Sequence, residues 1–165
     1  MRFSLLGSFH PKTASLMIAL ISLCILGTTF ILEHFFEIPV CRMCMLERYP
    51  YAVATLLGVL FYMFSDPTIL HRWARYLLIA TFIVSTGLSF YHMGLEHNWF
   101  DLPEFCKGSS LKLDTVEALR AQILSQTTVI PCNVVSLRLF FLSLAEWNGI
   151  TSLILLGASW KLLKK

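Results

Sequence analysis

The chain has 165 residues, 56% of them hydrophobic and 14% charged, with a formal net charge of +3. So apolar a composition excludes an ordinary soluble domain and a disordered tail, because such a chain either enters lipid or aggregates. The slight positive excess is a poor basis for nucleic-acid binding.

The first apolar run, residues 13–32, carries no charge and has the length of about 20 residues that a spanning helix needs. It exceeds the core of about 7–15 residues typical of a secretory signal, and no clear small-residue cleavage site follows, so a retained anchor is expected. Cys24 lies in its middle and is read as a small hydrophobe used for packing. A loop over residues 33–45 follows. The second run, residues 46–64, is purely apolar only from Tyr49 and must recruit Arg48 or the segment before it. Pro50 fits best near a helix start, which leaves Cys44 in a preceding turn. Asp66-Pro67 is a turn signal, and so short a connection sets neighbouring helices antiparallel.

The third run covers residues 73–91, and a long loop occupies residues 92–144. Within it Asp114-Thr115-Val116-Glu117 reads as a capping box, and Val116, Leu119 and Ile123 recur at helical spacing. That pattern suits a short amphipathic helix, lying either on lipid headgroups or against the bundle. The fourth run covers residues 145–163, with Glu146 at its interfacial start. Trp73, Trp99, Trp147 and Trp160 fall near run boundaries, as in an aromatic belt. The expected fold is all-α: one polytopic membrane domain over residues 1–165, a bundle of four transmembrane helices with two loops on one side.

Lys and Arg in short loops set the orientation. Arg2, Lys12, Arg72, Arg75, Lys161, Lys164 and Lys165 share one side with a single acid, Asp66, while most acids fall on the other. Both termini are therefore expected in the cytoplasm. Cys41, Cys44, Cys106 and Cys132 then lie in the two outer loops, where disulfides persist. Charge placement and cysteine placement agree on which side is oxidising.

Cys41-Arg42-Met43-Cys44 carries the chemistry. A thiol pair at this spacing can close a disulfide, and its reactive thiolate is favoured near positive charge such as Arg42 and Arg48. Half of a zinc knuckle is the competing reading, but no second close ligand pair exists, and His92 and His97 match no standard spacing with the cysteines, so no metal is expected. A purely structural disulfide would close too small a loop to stabilise much. Cys106 and Cys132 could staple a long loop, or could join a relay in which thiolates attack disulfides through mixed intermediates. Four cysteines permit three pairings, and the residues alone do not choose.

Cys41-Arg42-Met43-Cys44-Met45-Leu46-Glu47-Arg48, Tyr91-His92-Met93-Gly94, and Pro131-Cys132 ahead of Leu139-Phe140-Phe141-Leu142-Ser143-Leu144 resemble, in order, the DsbB family of inner-membrane disulfide-generating proteins. The resemblance implies a thiol oxidase of the bacterial inner membrane that reoxidises a periplasmic DsbA-like dithiol oxidase. That partner would attack Cys106 of a Cys106–Cys132 disulfide, Cys132 would pass electrons to Cys41–Cys44, and Cys44 would reduce a bound quinone, ubiquinone or menaquinone. It places the quinone-site arginine on Arg48 and a nearby histidine on His92.

Arg48 stands four residues after Cys44, so the two share a face if that segment is one helix, and the cation would favour the Cys44 thiolate. Otherwise Arg48 is a snorkelling interface residue. His92 could contact quinone or relay protons, or be an ordinary interface histidine. Glu47 is read beside them as the local counter-charge of Arg48. The competing function is a membrane metal-binding or transport protein using Cys and Met ligands.

Overall fold

The computed structural model describes residues 11–63, 70–107 and 130–162. Four long helices fall on the four apolar runs: α1 (Pro11–His34), α3 (Arg48–Met63), α4 (Leu70–Glu96) and α5 (Leu144–Leu162). A five-residue helix, α2 (Arg42–Leu46), precedes α3. The Asp66-Pro67 turn and the amphipathic segment around residues 114–124 lie outside the described residues.

α1 packs on α3, α3 on α4 and α4 on α5, while α1 meets α5 far more loosely. The central core between them is Ile18, Tyr51, Ala54, Phe61, Leu78, Phe82 and Leu155. Gly58 sets the α1–α3 distance, because a Cβ there would stand 2.7 Å from the Ser15 carbonyl oxygen and 2.8 Å from Ala19 Cβ. Polar side chains tie α3, α4 and α5 below the cysteines. The Tyr51 hydroxyl meets Asn148 and, at 2.9 Å, Ser152, which reaches Ser85 at 2.8 Å, while Asn148 donates to Ser89 at 2.7 Å.

The outward faces are apolar too. Leu23 and Ile31 on α1, Ile83 and Val84 on α4, and Leu153 and Ile154 on α5 are all more than half exposed or close to it. A helix apolar all round needs protein or lipid on every side, and among the described residues nothing covers these faces. Among the described residues two helices, over Thr13–His34 and Tyr76–Glu96, are long and apolar enough to cross a membrane. At 16 residues α3 is shorter, about 24 Å, than a hydrocarbon core of about 30 Å.

Two chain reversals bring the loops over one end of the bundle. α4 ends through Asn98 in the left-handed region (φ 56°), with Trp99 N–H donating to Gly94 O at 2.8 Å, a Schellman-type cap. The chain then folds back so that Phe100 stacks on Tyr91 and lies against Gly94, where no Cβ obstructs it. α5 begins with a capping box: Ser143 N–H donates to Glu146 Oε2 at 2.7 Å and Glu146 N–H to Ser143 Oγ at 3.2 Å. Before it, strands β1 (Arg138–Leu139) and β2 (Leu142–Ser143) form a tight hairpin whose tip, Phe140 and Phe141, has positive φ.

Candidate functional site

Four cysteines gather at this end. Cys41, Cys106 and Cys132 are fully buried in one cluster with Met43 and Leu95, and Cys44 packs against it. The 3-10 turn Glu104–Cys106 delivers Cys106, and Cys132 N–H donates to Cys106 O at 3.0 Å. Cys106 and Cys132 are disulfide-bonded. Cys41 lies in extended chain and forms an isolated parallel bridge with Ile130, which sets the Cys132 segment alongside it. Sequence spacing left three pairings open; the fold adopts one and brings the second pair against it.

Cys41 is the N-cap of α2, its Sγ accepting from Cys44 N–H at 3.1 Å. The two sulfurs stand 2.6 Å apart as free thiols, and Cys41 Sγ is 3.4 Å from His92 Nε2. The hydrogen bond from the Cys44 thiol, against the cost of burial, and the Cys44 and Met43 amides hold the Cys41 thiol below the ordinary thiol range. Cys44 is driven up by its donor role to Cys41, by burial and by the neighbouring Cys41 charge. The Cys44 amide and the Cys44 thiol thus both favour negative charge on the Cys41 sulfur.

Arg48 itself is engaged elsewhere. α2 ends at Leu46 and a single turn residue, Glu47, precedes α3, so Cys44 and Arg48 belong to separate helices; Cys44 itself lies within α2, not in the turn that Pro50 suggested. Arg48 Nη1 lies 2.5 Å from Glu33 Oε2, and its guanidinium sits 5.0 Å above the Phe30 ring. Glu47 is accordingly not the counter-charge of Arg48: its Oε1 is 3.0 Å from His92 Nδ1, both groups buried. No local signal links residues 15 and 45 positions apart, so neither pairing was legible. The Ser143-Leu144-Ala145-Glu146 capping box did carry a readable pattern and was missed.

A cavity of about 480 Å³ opens at the loose α1–α5 seam, within the range of small-molecule sites. Cys44, Glu47, Arg48, His92 and Glu96 border it at one end, and α1 and α5 side chains supply the apolar walls. Cys41 does not border it. Arg48 Nε and Glu96 Oε2, on two of these bordering residues, are buried without a hydrogen-bond partner among the described residues. Cys24 is exposed on α1 and lines this cavity, so it is not the packing residue its mid-helix position suggested. His97 is exposed, stacked on Trp99 and 3.2 Å from Glu146. Trp73, Trp99 and Trp160 are exposed, whereas Trp147 lines the cavity and donates to Leu139 O at 3.0 Å.

A family model described as Disulfide bond formation protein DsbB matches residues 11–162, nearly the whole chain. An uncharacterized protein of Rickettsia prowazekii (strain Madrid E) is 23% identical over 148 residues, covering 88% of this chain and 83% of that protein. No solved structure matches. These similarities do not favour a metal-transport reading.

Proposed function

The chain belongs to the DsbB family of membrane proteins that form disulfide bonds, and on that premise we propose that it moves electrons from a periplasmic dithiol oxidase to membrane quinone. The observation that carries this reading is the single buried cluster holding both redox pairs beside a cavity bordered by Cys44.

The partner thiolate attacks Cys106, forming a mixed disulfide and releasing the Cys132 thiolate. The partner's second thiolate then attacks the mixed disulfide, closing the partner's own disulfide and releasing Cys106 as thiolate. Cys132 attacks Cys41 of an oxidised Cys41–Cys44 pair, Cys44 departs as thiolate, and Cys106 attacks Cys132 to regenerate the first bond. Each exchange breaks one S–S bond and makes one, so the pair of electrons moves inward with no loss. Transfer between the pairs thus ends with Cys106–Cys132 oxidised and Cys41 and Cys44 as thiols, ready to pass electrons on.

Bound quinone would supply a two-electron, two-proton sink. The orphaned Arg48 Nε suits a carbonyl oxygen and Glu96 Oε2 suits a hydroxyl, so the cavity's polar end fits such a group and its apolar walls fit an isoprenoid tail. Cys44 is the sulfur exposed to that space. The Cys41 thiolate, stabilised by the α2 amides, is positioned to close on Cys44 as the electrons leave. His92, anchored by Glu47, stands at the same sulfurs to hold a proton.

Four spanning helices, with both termini cytoplasmic and all four redox cysteines outside, complete the proposal. Lys and Arg placement supports that orientation. Anaerobic mixing of the purified chain with a reduced CxxC oxidase and a soluble quinone tests the function through loss of quinone absorbance. Cys44→Ser is expected to abolish quinone reduction and Cys106→Ser to abolish partner oxidation. Wild-type turnover by the Cys44 variant refutes the assignment.

A further inference from the structure

We infer that the reduced Cys41–Cys44 pair and His92 form a three-ligand site for one thiophilic divalent cation of the zinc type, and that filling it arrests the relay. The binding stands on the thiols and the imidazole alone, while the arrest rests on the function proposed above.

Among the described residues, these three are the group of His, Cys and acidic side chains whose donor atoms all fall within 4.8 Å of one another. A tetrahedral zinc with bonds of about 2.3 Å to sulfur and about 2.0 Å to nitrogen sets sulfur and nitrogen about 3.5 Å apart. Cys41 Sγ and His92 Nε2 already stand at 3.4 Å. The same geometry asks for about 3.8 Å between sulfurs, against 2.6 Å here. Cys44 is half-buried at the cavity wall and has room to swing outward.

The imidazole is already prepared as a ligand. Its Nδ1 lies 3.0 Å from the buried Glu47 carboxylate, so Nδ1–H donates there and Nε2 is the ring nitrogen left facing Cys41. A carboxylate behind a histidine in this way fixes its tautomer and raises its basicity toward a metal. A fourth coordination position faces the cavity, since Cys44, Glu47 and His92 all border it. The sequence hid this site because Cys41 and His92 are 51 positions apart.

Binding converts two S–H groups into two metal–sulfur bonds and releases two protons, with no electron transferred. A disulfide offers neither thiolate, so the cation and the Cys41–Cys44 bond exclude each other. The cation therefore acts as an inhibitor of the electron-loaded state, with no role as cargo.

The test uses the full-length chain in detergent, anaerobic and reduced, carrying Cys24→Ser, Cys106→Ser and Cys132→Ser so that only this pair bears thiols. Titration with Co2+ is expected to give one equivalent bound, thiolate-to-cobalt charge-transfer absorption and tetrahedral visible bands, all displaced by Zn2+. Closing Cys41–Cys44 with diamide should remove them. Glu47→Gln should weaken Co2+ binding about 10- to 100-fold at unchanged stoichiometry, and His92→Ala should weaken it and alter the visible bands. Absent charge-transfer absorption at saturating Co2+ overturns the site, and so do spectra and affinity untouched by His92→Ala and Glu47→Gln. Zn2+ added to pre-reduced wild type should stop thiol oxidation, whereas addition after oxidation should not. Equal turnover in both orders overturns the arrest. Since the titration uses neither quinone nor partner, it reads the site even if the electron acceptor is another compound.

Discussion

Cys41 and Ile130 lie side by side in a parallel bridge, two positions ahead of Cys132, so the backbone itself aligns the two redox pairs. A chain carrying Cys44→Ser and Cys106→Ser keeps one sulfur of each pair, on those aligned segments. Mild oxidation is expected to yield a Cys41–Cys132 disulfide in most molecules, detected by mass spectrometry of non-reduced peptides. Persistent thiols at both positions would break the proposed route between the pairs.

The thiols titrate in opposite directions. With the Cys41 value held down in the fold, the unfolded chain binds its proton more readily, so that contribution to stability is complete above the ordinary thiol range. It is lost as pH falls through the native Cys41 value. Cys44 is raised, so its contribution is intact below the ordinary thiol value and lost as pH climbs beyond it. The reduced protein should therefore show maximal Tm between the two, with a single thiolate formed. Cys44→Ala removes the largest support of the Cys41 thiolate and should shift its ultraviolet thiolate titration to higher pH.

Glu33 competes with any acceptor for the Arg48 guanidinium. The pair is only partly exposed, and releasing such a contact is worth up to about 1 kcal/mol. Glu33→Gln should lower the KM for a soluble quinone up to about fivefold, with kcat changed far less. A raised KM would mean that Glu33 orients Arg48 for the acceptor instead of withholding it.

Gly58 permits the closest α1–α3 approach. Gly58→Ala places a methyl group against the Ser15 carbonyl and Ala19, and should cost about 1–3 kcal/mol by forcing the helices apart. Thermal unfolding in detergent reads this as a lowered Tm. An unchanged Tm would indicate that α1 shifts freely on α3.

Apolar run length made the helices legible, since each run of the sequence falls on one long helix. Pro50 told where α3 begins and kept Cys44 apart from it. The site was legible only as a set of residue types. Glu33 was visible as an acid and Glu47 as a neighbour of Arg48, yet their true partners come from other helices. Adjacency in sequence favoured Glu47 with Arg48; the turn after α2 aims Glu47 at α4 and leaves Arg48 facing α1. Periodicity registers faces of single helices and is blind to which helix lies opposite.

Both sulfurs of the Cys106–Cys132 bond lie wholly beneath the surface. Under the proposed function, a thiolate reaches them only once the Glu104–Cys106 turn has moved aside, so access to the bond, and not oxidising power alone, would select the client.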